Sequence, residues 1–125
     1  MRAALGGPPV LVRLPLTRTP ELAVAAAQAG ADALTVAAPP RIETRVDQQA
    51  VRGRLYGPGC FPAALEAVRQ VAARNLDRPI IAAGGIYSLE SAQAMLAAGA
   101  VAVQLDAAIW ARPQFVEDMR ALAPI

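Results

Sequence analysis

The stretch Pro79-Ile-Ile-Ala-Ala-Gly-Gly-Ile86 decides how this sequence folds. Its apolar run predicts a buried strand, and the glycine pair that closes the run predicts a turn at the end of that strand. Ala100-Val-Ala-Val-Gln-Leu-Asp-Ala-Ala-Ile109 repeats the strand pattern, and a helical pattern lies between the two. Together they predict consecutive parallel strands of a β/α fold, with their loops on one side of the sheet.

The glycine pair also points to a ligand. Backbone N–H groups freed by a glycine turn, together with those of the helix that follows, converge on one point and attract an anion. A residue without a Cβ lets a phosphate come close. Gly84 and Gly85 therefore predict a phosphate-bearing cofactor site or the remnant of one, and a plain strand-to-helix turn is the alternative.

The composition is that of a globular protein, and we treat residues 1–125 as one domain. Hydrophobic residues make up 55% of the 125 residues and charged residues 18%. This length is well short of the roughly 250 residues of a closed (β/α)₈ barrel. The basic residues are all arginines, 12 against 10 acids, and their scatter along the chain predicts no nucleic-acid partner.

Missing residue types narrow the chemistry further. The chain has no histidine, the commonest metal ligand and general base, so we predict no metal site and assign no catalytic residue. Its single cysteine, Cys60, fits a reducing cytoplasm and is interpreted as a packing residue. Charged and amide residues interrupt every long apolar stretch, so no membrane span is predicted.

Hydrophobic periodicity predicts four successive β/α units, half a barrel by count. The strands are expected over Pro9–Leu16, over Asp32–Ala37, from Pro79 and over Ala100–Leu105, and the helices over Thr19–Gln28, Pro62–Asn75, Ser88–Gly99 and Pro113–Leu122.

Two local signals refine these elements. Thr19 is expected to cap the first helix, and Ser88 the third, although Ser91 replaces the glutamate of a full capping box. The long connection over residues 38–59 is predicted to be a functional loop or lid, with a short helix near Asp47–Val51.

Five motifs follow one another in a fixed order along the chain. They are Gly30-Ala-Asp-Ala-Leu-Thr-Val36, Gly53-Arg-Leu-Tyr-Gly-Pro58, Phe61-Pro-Ala-Ala-Leu-Glu-Ala-Val68, Gly84-Gly85-Ile86 and Ala98-Gly-Ala-Val-Ala-Val-Gln104. The ordered set resembles the C-terminal half of the dihydroorotate dehydrogenase family, FMN-binding TIM barrels of pyrimidine metabolism. The resemblance implies an α/β fold of four consecutive β/α units, equivalent to the C-terminal half of a (β/α)₈ barrel.

The same resemblance implies FMN as the cofactor. Carried over to this sequence, the family's flavin contacts fall on Arg13, Gly57, Gly84, Gly85, Asp106 and Ala107. The last four would hold the flavin phosphate on backbone N–H groups, and Gly57 would lie near the ribityl chain. Arg13 takes the place of the family's strand lysine, which contacts the flavin ring, and its planar fork makes this exchange a non-conservative one.

Three departures from the family's sequence pattern support an alternative to flavin chemistry, namely a non-catalytic module. Ala38-Pro39 replaces the family's substrate-binding Asn-Thr pair, Asp106 adds a negative charge beside the expected phosphate, and Ala107 lacks the family's hydroxyl. The family's catalytic Cys or Ser belongs to an N-terminal half that this sequence does not contain, so we expect no turnover from the isolated chain.

These observations leave three functional hypotheses. The first is an FMN-dependent, dihydroorotate dehydrogenase-like oxidoreductase fragment or subunit that supplies the flavin phosphate site. The second is a non-catalytic binding or assembly module, and the third a phosphate-handling barrel for another small molecule.

The partner is expected to complete the sheet. Four parallel strands cannot close, so the edges and an apolar inner face, including Leu11, Leu34 or Thr35, Ile81 and Val103, call for a cover. A second copy of the chain or a separately encoded N-terminal half-barrel would provide it.

Overall fold

The computed structural model describes residues 6–120, which form a parallel sheet, a separate hairpin and five helices. In chain order the elements are β1 (Leu11–Leu14), α1 (Thr19–Gln28), β2 (Ala33–Val36), β3 (Arg41–Val46), β4 (Gln49–Arg54), α2 (Phe61–Ala72), β5 (Ile80–Ala83), α3 (Leu89–Ala97), β6 (Ala102–Gln104), α4 (Ala107–Ala111) and α5 (Phe115–Arg120). A 3₁₀ turn over Pro58–Cys60 leads into α2.

The main sheet contains four parallel strands in the order β1-β2-β5-β6. Spatial order therefore follows chain order, and α1, α2 and α3 lie in the three crossovers that parallel neighbours require. The predicted α/β class and the parallel sheet are confirmed. Strands β1 and β6 lie at the two edges.

Helices cover one face of this sheet. The register aligns Leu14 with Val36 and Val36 with Ala82, and these side chains are buried in a core that α2 and α3 complete through residues such as Val68 and Met95. Helices that connect parallel strands typically bury a face of the sheet in this way.

The other face carries the row Arg13, Thr35, Ile81 and Ala102. The prediction that Val103 lies on this face is wrong, because Val103 aligns with Ala82 and packs against the covered core. Leu34 is likewise fully buried on the helix side, so Thr35 is the residue of that pair on the inner face.

The first helix begins differently from the prediction. Arg18, not Thr19, is its N-cap, with a left-handed φ of 56° and no side-chain cap bond. Thr19 lies in the first turn, where its buried hydroxyl donates to the Pro15 carbonyl at 2.7 Å. That hydroxyl is therefore turned back to the preceding loop and does not cap the helix.

The third helix has the predicted cap and a complete capping box. Ser88 Oγ accepts from the Ser91 backbone N–H, and Ser91 Oγ accepts from the Ser88 backbone N–H, both at 3.1 Å. Ser91 therefore accepts the hydrogen bond that the glutamate of a full capping box would accept.

The connection over residues 38–59 contains a β-hairpin, so the short helix predicted near Asp47–Val51 is wrong. Strands β3 and β4 pair antiparallel from Arg41↔Arg54 to Val46↔Gln49. Asp47 and Gln48 form the two-residue turn with φ of 48° and 66°, the signs of a type I′ turn. Neither residue is the glycine that usually marks such a turn.

The C-terminal part holds two short helices where one was predicted. Helix α4 follows β6 directly, and α5 begins at Phe115, whose side chain is buried in the core. The predicted end at Leu122 lies outside the described residues. Within residues 6–120 there is no helix with the length and apolar character needed to cross a membrane.

Candidate functional site

A cleft opens where the strands of the main sheet end. Its walls come from the segments after β1, β2, β5 and β6 and from the loop that precedes α2. The space between them is about 490 Å³, including the part open to solvent. The structure brings all six predicted cofactor residues to this cleft, namely Arg13, Gly57, Gly84, Gly85, Asp106 and Ala107.

The glycine pair is required by packing as well as by any ligand. Gly84 and Gly85 have φ of 118° and 68°, which L side chains rarely adopt. A Cβ on Gly84 would lie 2.9 Å from the Ala64 Cβ, and one on Gly85 would lie 2.4 Å from the Phe61 nitrogen. The start of α2 therefore needs glycine at both positions.

Three residues with unused backbone donors line the same cleft. The backbone N–H groups of Gly85, Asp106 and Ala107 have no hydrogen-bond acceptor among residues 6–120. Backbone N–H groups without an acceptor, in a cleft whose turn has no Cβ, suit a phosphate group. This cradle is the part of the cleft that suits FMN.

Arg13 supplies the positive charge of the cleft. It lies on β1 next to Thr35 of β2, and within the described chain it forms no ion pair. It therefore pairs with neither Asp32 nor Asp106, and the Asp32 carboxylate accepts from the Val10 N–H at 2.6 Å. The guanidinium is available for an anion or a polarised ring.

Asp106 supplies a negative charge on the opposite edge. Its side chain is exposed and makes no cap bond to α4. Since its own N–H is one of the three donors without an acceptor, its carboxylate would oppose an anion bound to them.

Cys60 lines the cleft but is a packing residue, as predicted. It is buried, and its thiol donates to the Leu55 carbonyl at 3.5 Å. No three His, Cys, Asp or Glu side chains of residues 6–120 come together in a way that could hold a metal ion.

Tyr87 and Gln104 also line the cleft and were not predicted. Gln104 could have been predicted from the two-residue period of the strand, because Gln104 aligns with Ala83 on the face opposite the helices. Tyr87 lies in the turn after the glycine pair, and no local pattern in the sequence singles it out.

A parallel β/α sheet with a cleft at the carboxyl ends of its strands places this chain in the class of α/β proteins whose ligand sites, where present, lie at those ends. A family model described as dihydroorotate dehydrogenase matches residues 3–121, and the chain belongs to that family. Members of the family are FMN-dependent flavoproteins.

Individual relatives agree with this assignment. The catalytic subunit of dihydroorotate dehydrogenase B (NAD(+)) from Exiguobacterium sibiricum is 33% identical over 124 residues, covering 93% of this chain and 40% of that protein. The subunit of the same name from Streptococcus pneumoniae is 42% identical over 67 residues, which cover 54% of this chain and 21% of that protein. The chain thus spans well under half of either relative.

A solved structure shows the same fold. The crystal structure of DHODH in complex with ferulenol from Eimeria tenella superposes with a TM-score of 0.72 at 23% sequence identity. The match covers 88% of this chain and 32% of that one.

Proposed function

We propose that this chain supplies the flavin phosphate site of an FMN-dependent, dihydroorotate dehydrogenase-like oxidoreductase, as a fragment or subunit equivalent to the C-terminal half of a (β/α)₈ barrel. The observation that carries the proposal is that the six positions assigned to flavin by resemblance line one cleft. FMN, when bound, would supply the hydride-accepting chemistry.

Each residue of the cleft then has a defined task. The N–H groups of Gly85, Asp106 and Ala107 hold the phosphate, and Gly84 keeps the strand end free of a Cβ. Arg13 would hold its guanidinium charge beside the flavin ring, because that side chain forms no ion pair within the described chain.

The chain needs a completing partner for turnover. Proton abstraction from carbon requires a positioned base, and Cys60 is buried with its thiol bound to the Leu55 carbonyl. The edges β1 and β6 are where a second copy or a separately encoded N-terminal half would pair. The purified chain, saturated with FMN, should therefore show no dihydroorotate oxidation above the free-FMN background. A cytoplasmic location stays a prediction from the composition.

A non-catalytic binding or assembly module is the second candidate. Ala38 and Pro39 line the cleft where the resemblance expects an asparagine and a threonine. Neither of these two side chains offers an amide that could recognise a pyrimidine-like ring. The exposed Asp106 carboxylate also opposes phosphate binding. Both observations favour a cleft that has lost its flavin chemistry.

Titration with FMN, followed by quenching of flavin fluorescence, separates the two candidates. The first predicts saturable binding by the wild-type chain and binding weakened about threefold to tenfold in Arg13→Gln, the effect of one charge contact. Arg74→Gln is the matched control, because Arg74 is exposed beyond the far end of α2. Absence of saturable binding, or equal binding by both variants, would support the second candidate.

A further inference from the structure

One wall of the cleft carries no polar side chain. It consists of residues 37–40, which follow β2, and of Leu55, which follows β4, and it is here called the apolar wall. The two segments lie side by side, because the Leu55 N–H donates to the Pro40 carbonyl at 2.9 Å. Leu55 is 43% exposed, so its side chain is open to a ligand.

The backbone of the apolar wall offers no hydrogen-bond donor either. The N–H groups of Ala37 and Ala38 donate to carbonyls at the ends of β5 and β1, at 2.9 and 2.7 Å. The two prolines that follow have no N–H, and the Leu55 N–H is engaged as described. An oxygen atom that faces this wall therefore finds no donor on it.

Most of the carbonyl groups of the apolar wall are engaged as well. The Pro39 carbonyl accepts from the Arg54 guanidinium at 2.9 Å, and the Pro40 carbonyl accepts from Leu55. The Leu55 carbonyl accepts from the Cys60 thiol at 3.5 Å. The chain's own hydrogen bonds thus hold the wall in place and use up most of its polar backbone.

The polar side chains of the cleft come from the two edge strands instead. Arg13 belongs to β1, Gln104 ends β6, and Asp106 precedes α4. Within residues 6–120 these three are the only charged or amide side chains that line the cleft. The cleft therefore has a polar part at the edges of the sheet and an apolar part after the central strand β2.

Tyr56 adds an aromatic ring to the apolar part. It follows Leu55 in the chain, lines the cleft and is 49% exposed. Tyrosine rings pair favourably with other planar rings, face to face with an offset or edge to face. A planar, apolar ring therefore suits both Tyr56 and the apolar wall.

We propose that the substrate of this cleft presents a neutral, apolar ring to the apolar wall, in place of the pyrimidine ring that the resemblance implies. This inference rests on the proposed function, because it names the substrate class of the same cleft. A pyrimidine ring carries carbonyl and N–H groups, and burying them against a wall without donors would cost the hydrogen bonds that they make in water. An apolar ring makes no such bonds and gains free energy by leaving water.

Equilibrium dialysis of the purified chain tests the ligand class directly. The probes are 2-naphthol, a mostly apolar ring without charge, and uracil, a neutral pyrimidine. We expect 2-naphthol to bind saturably both with and without saturating FMN, and uracil not to bind. Added sodium chloride should not weaken 2-naphthol binding, because no charge contact is involved.

Variants at the apolar part assign the binding to this part of the cleft. Leu55→Ala should weaken 2-naphthol binding about threefold to tenfold, the effect of the apolar surface that is lost. Leu11→Ala is the matched control, because Leu11 is 54% exposed on β1 but does not line the cleft. Tyr56→Phe should bind like the wild-type chain, and Tyr56→Ala should bind about threefold more weakly, since only the second variant removes the ring.

A reciprocal variant tests the preference between the two rings. Ala38→Asn/Pro39→Thr introduces the pair that the resemblance expects and adds an amide and a backbone N–H to the wall. It should weaken 2-naphthol binding about tenfold, because the new polar groups would lose water, and it should allow uracil to bind. Circular dichroism checks that this variant folds, and Leu55→Ala tests the wall independently of it.

Three outcomes would overturn the inference. The first is uracil binding to the wild-type chain as tightly as 2-naphthol. The second is equal weakening by Leu55→Ala and Leu11→Ala, which would place the probe on the open face of the sheet. The third is displacement of 2-naphthol by FMN, which would assign the apolar wall to the flavin ring itself.

FMN titration of the same preparation separates this inference from the proposed function. FMN binding without 2-naphthol binding would overturn the substrate class and leave the flavin site standing. Binding of 2-naphthol without FMN binding would overturn the flavin site and support an apolar ligand for the cleft.

Discussion

A Cβ atom on Gly85 would lie 2.4 Å from the backbone nitrogen of Phe61 and 2.7 Å from its Cα. The end of β5 and the first turn of α2 therefore touch backbone to backbone, and no rotation of a side chain can relieve a substitution there. Gly84 and Gly85 of the turn and Gly57 and Cys60 of the segment before α2 all line the cleft.

Gly85→Ala should destabilise the fold by about 2–4 kcal/mol, because it adds both a contact with backbone atoms and a strained φ of 68°. Urea denaturation followed by circular dichroism measures the change. Gly53→Ala is the control, since nothing lies within 4 Å of its added methyl group and the change should stay within about 0.5 kcal/mol. Equal stability of the two variants would contradict the close approach. Loss of FMN in a Gly85 variant would report folding as well as binding.

Asp106→Asn should strengthen FMN binding by about threefold, because it removes an exposed negative charge from the phosphate cradle without changing the backbone. Fluorescence titration at low ionic strength measures the effect, which added salt should reduce. Asp77→Asn removes a charge from the turn before β5, at the far end of the strand, and should leave the affinity unchanged. Weaker binding by Asp106→Asn would show that this carboxylate serves another ligand.

Ser88→Ala should cost about 1 kcal/mol of unfolding free energy, because the Ser91 N–H then loses its acceptor at the start of α3. Thermal and urea denaturation measure the loss. Ser91→Ala removes the reciprocal bond, and a double-mutant cycle should show coupling between the two serines. Additive effects would mean that the two bonds act independently.

Leu11→Glu should shift the chain toward monomer, because Leu11 is 54% exposed on the edge strand β1, where a partner would pair with the sheet. Light scattering of the wild-type chain should show association that this variant reduces. Val116→Glu places the same charge on α5, where Val116 is 39% exposed, and should leave the oligomeric state unchanged. A wild-type chain that stays monomeric and folded would contradict self-association through this edge.

The β/α units could be predicted because the signals for each strand and helix come from residues close together in sequence. The apolar run before Gly84 could only be a buried strand, and Ser88 before a helical pattern is a local cap signal. The hairpin escaped prediction because Asp47 and Gln48 adopt a turn that usually demands glycine or asparagine. The cap of α1 escaped it because Thr19 bonds to Pro15, a contact that depends on the path of the preceding loop.

By itself the sequence determined the parallel β/α units, since strand periodicity and glycine positions are local properties of the chain. The resemblance of its motifs to a family implied the six residues that line the cleft. Only the tertiary structure decided which other residues they contact. Gly85 proved to be required by Phe61, Arg13 proved to have no acidic partner within the described chain, and residues 41–54 proved to form a hairpin of their own. Contacts between residues far apart in sequence depend on how the elements pack, and no local pattern records that packing.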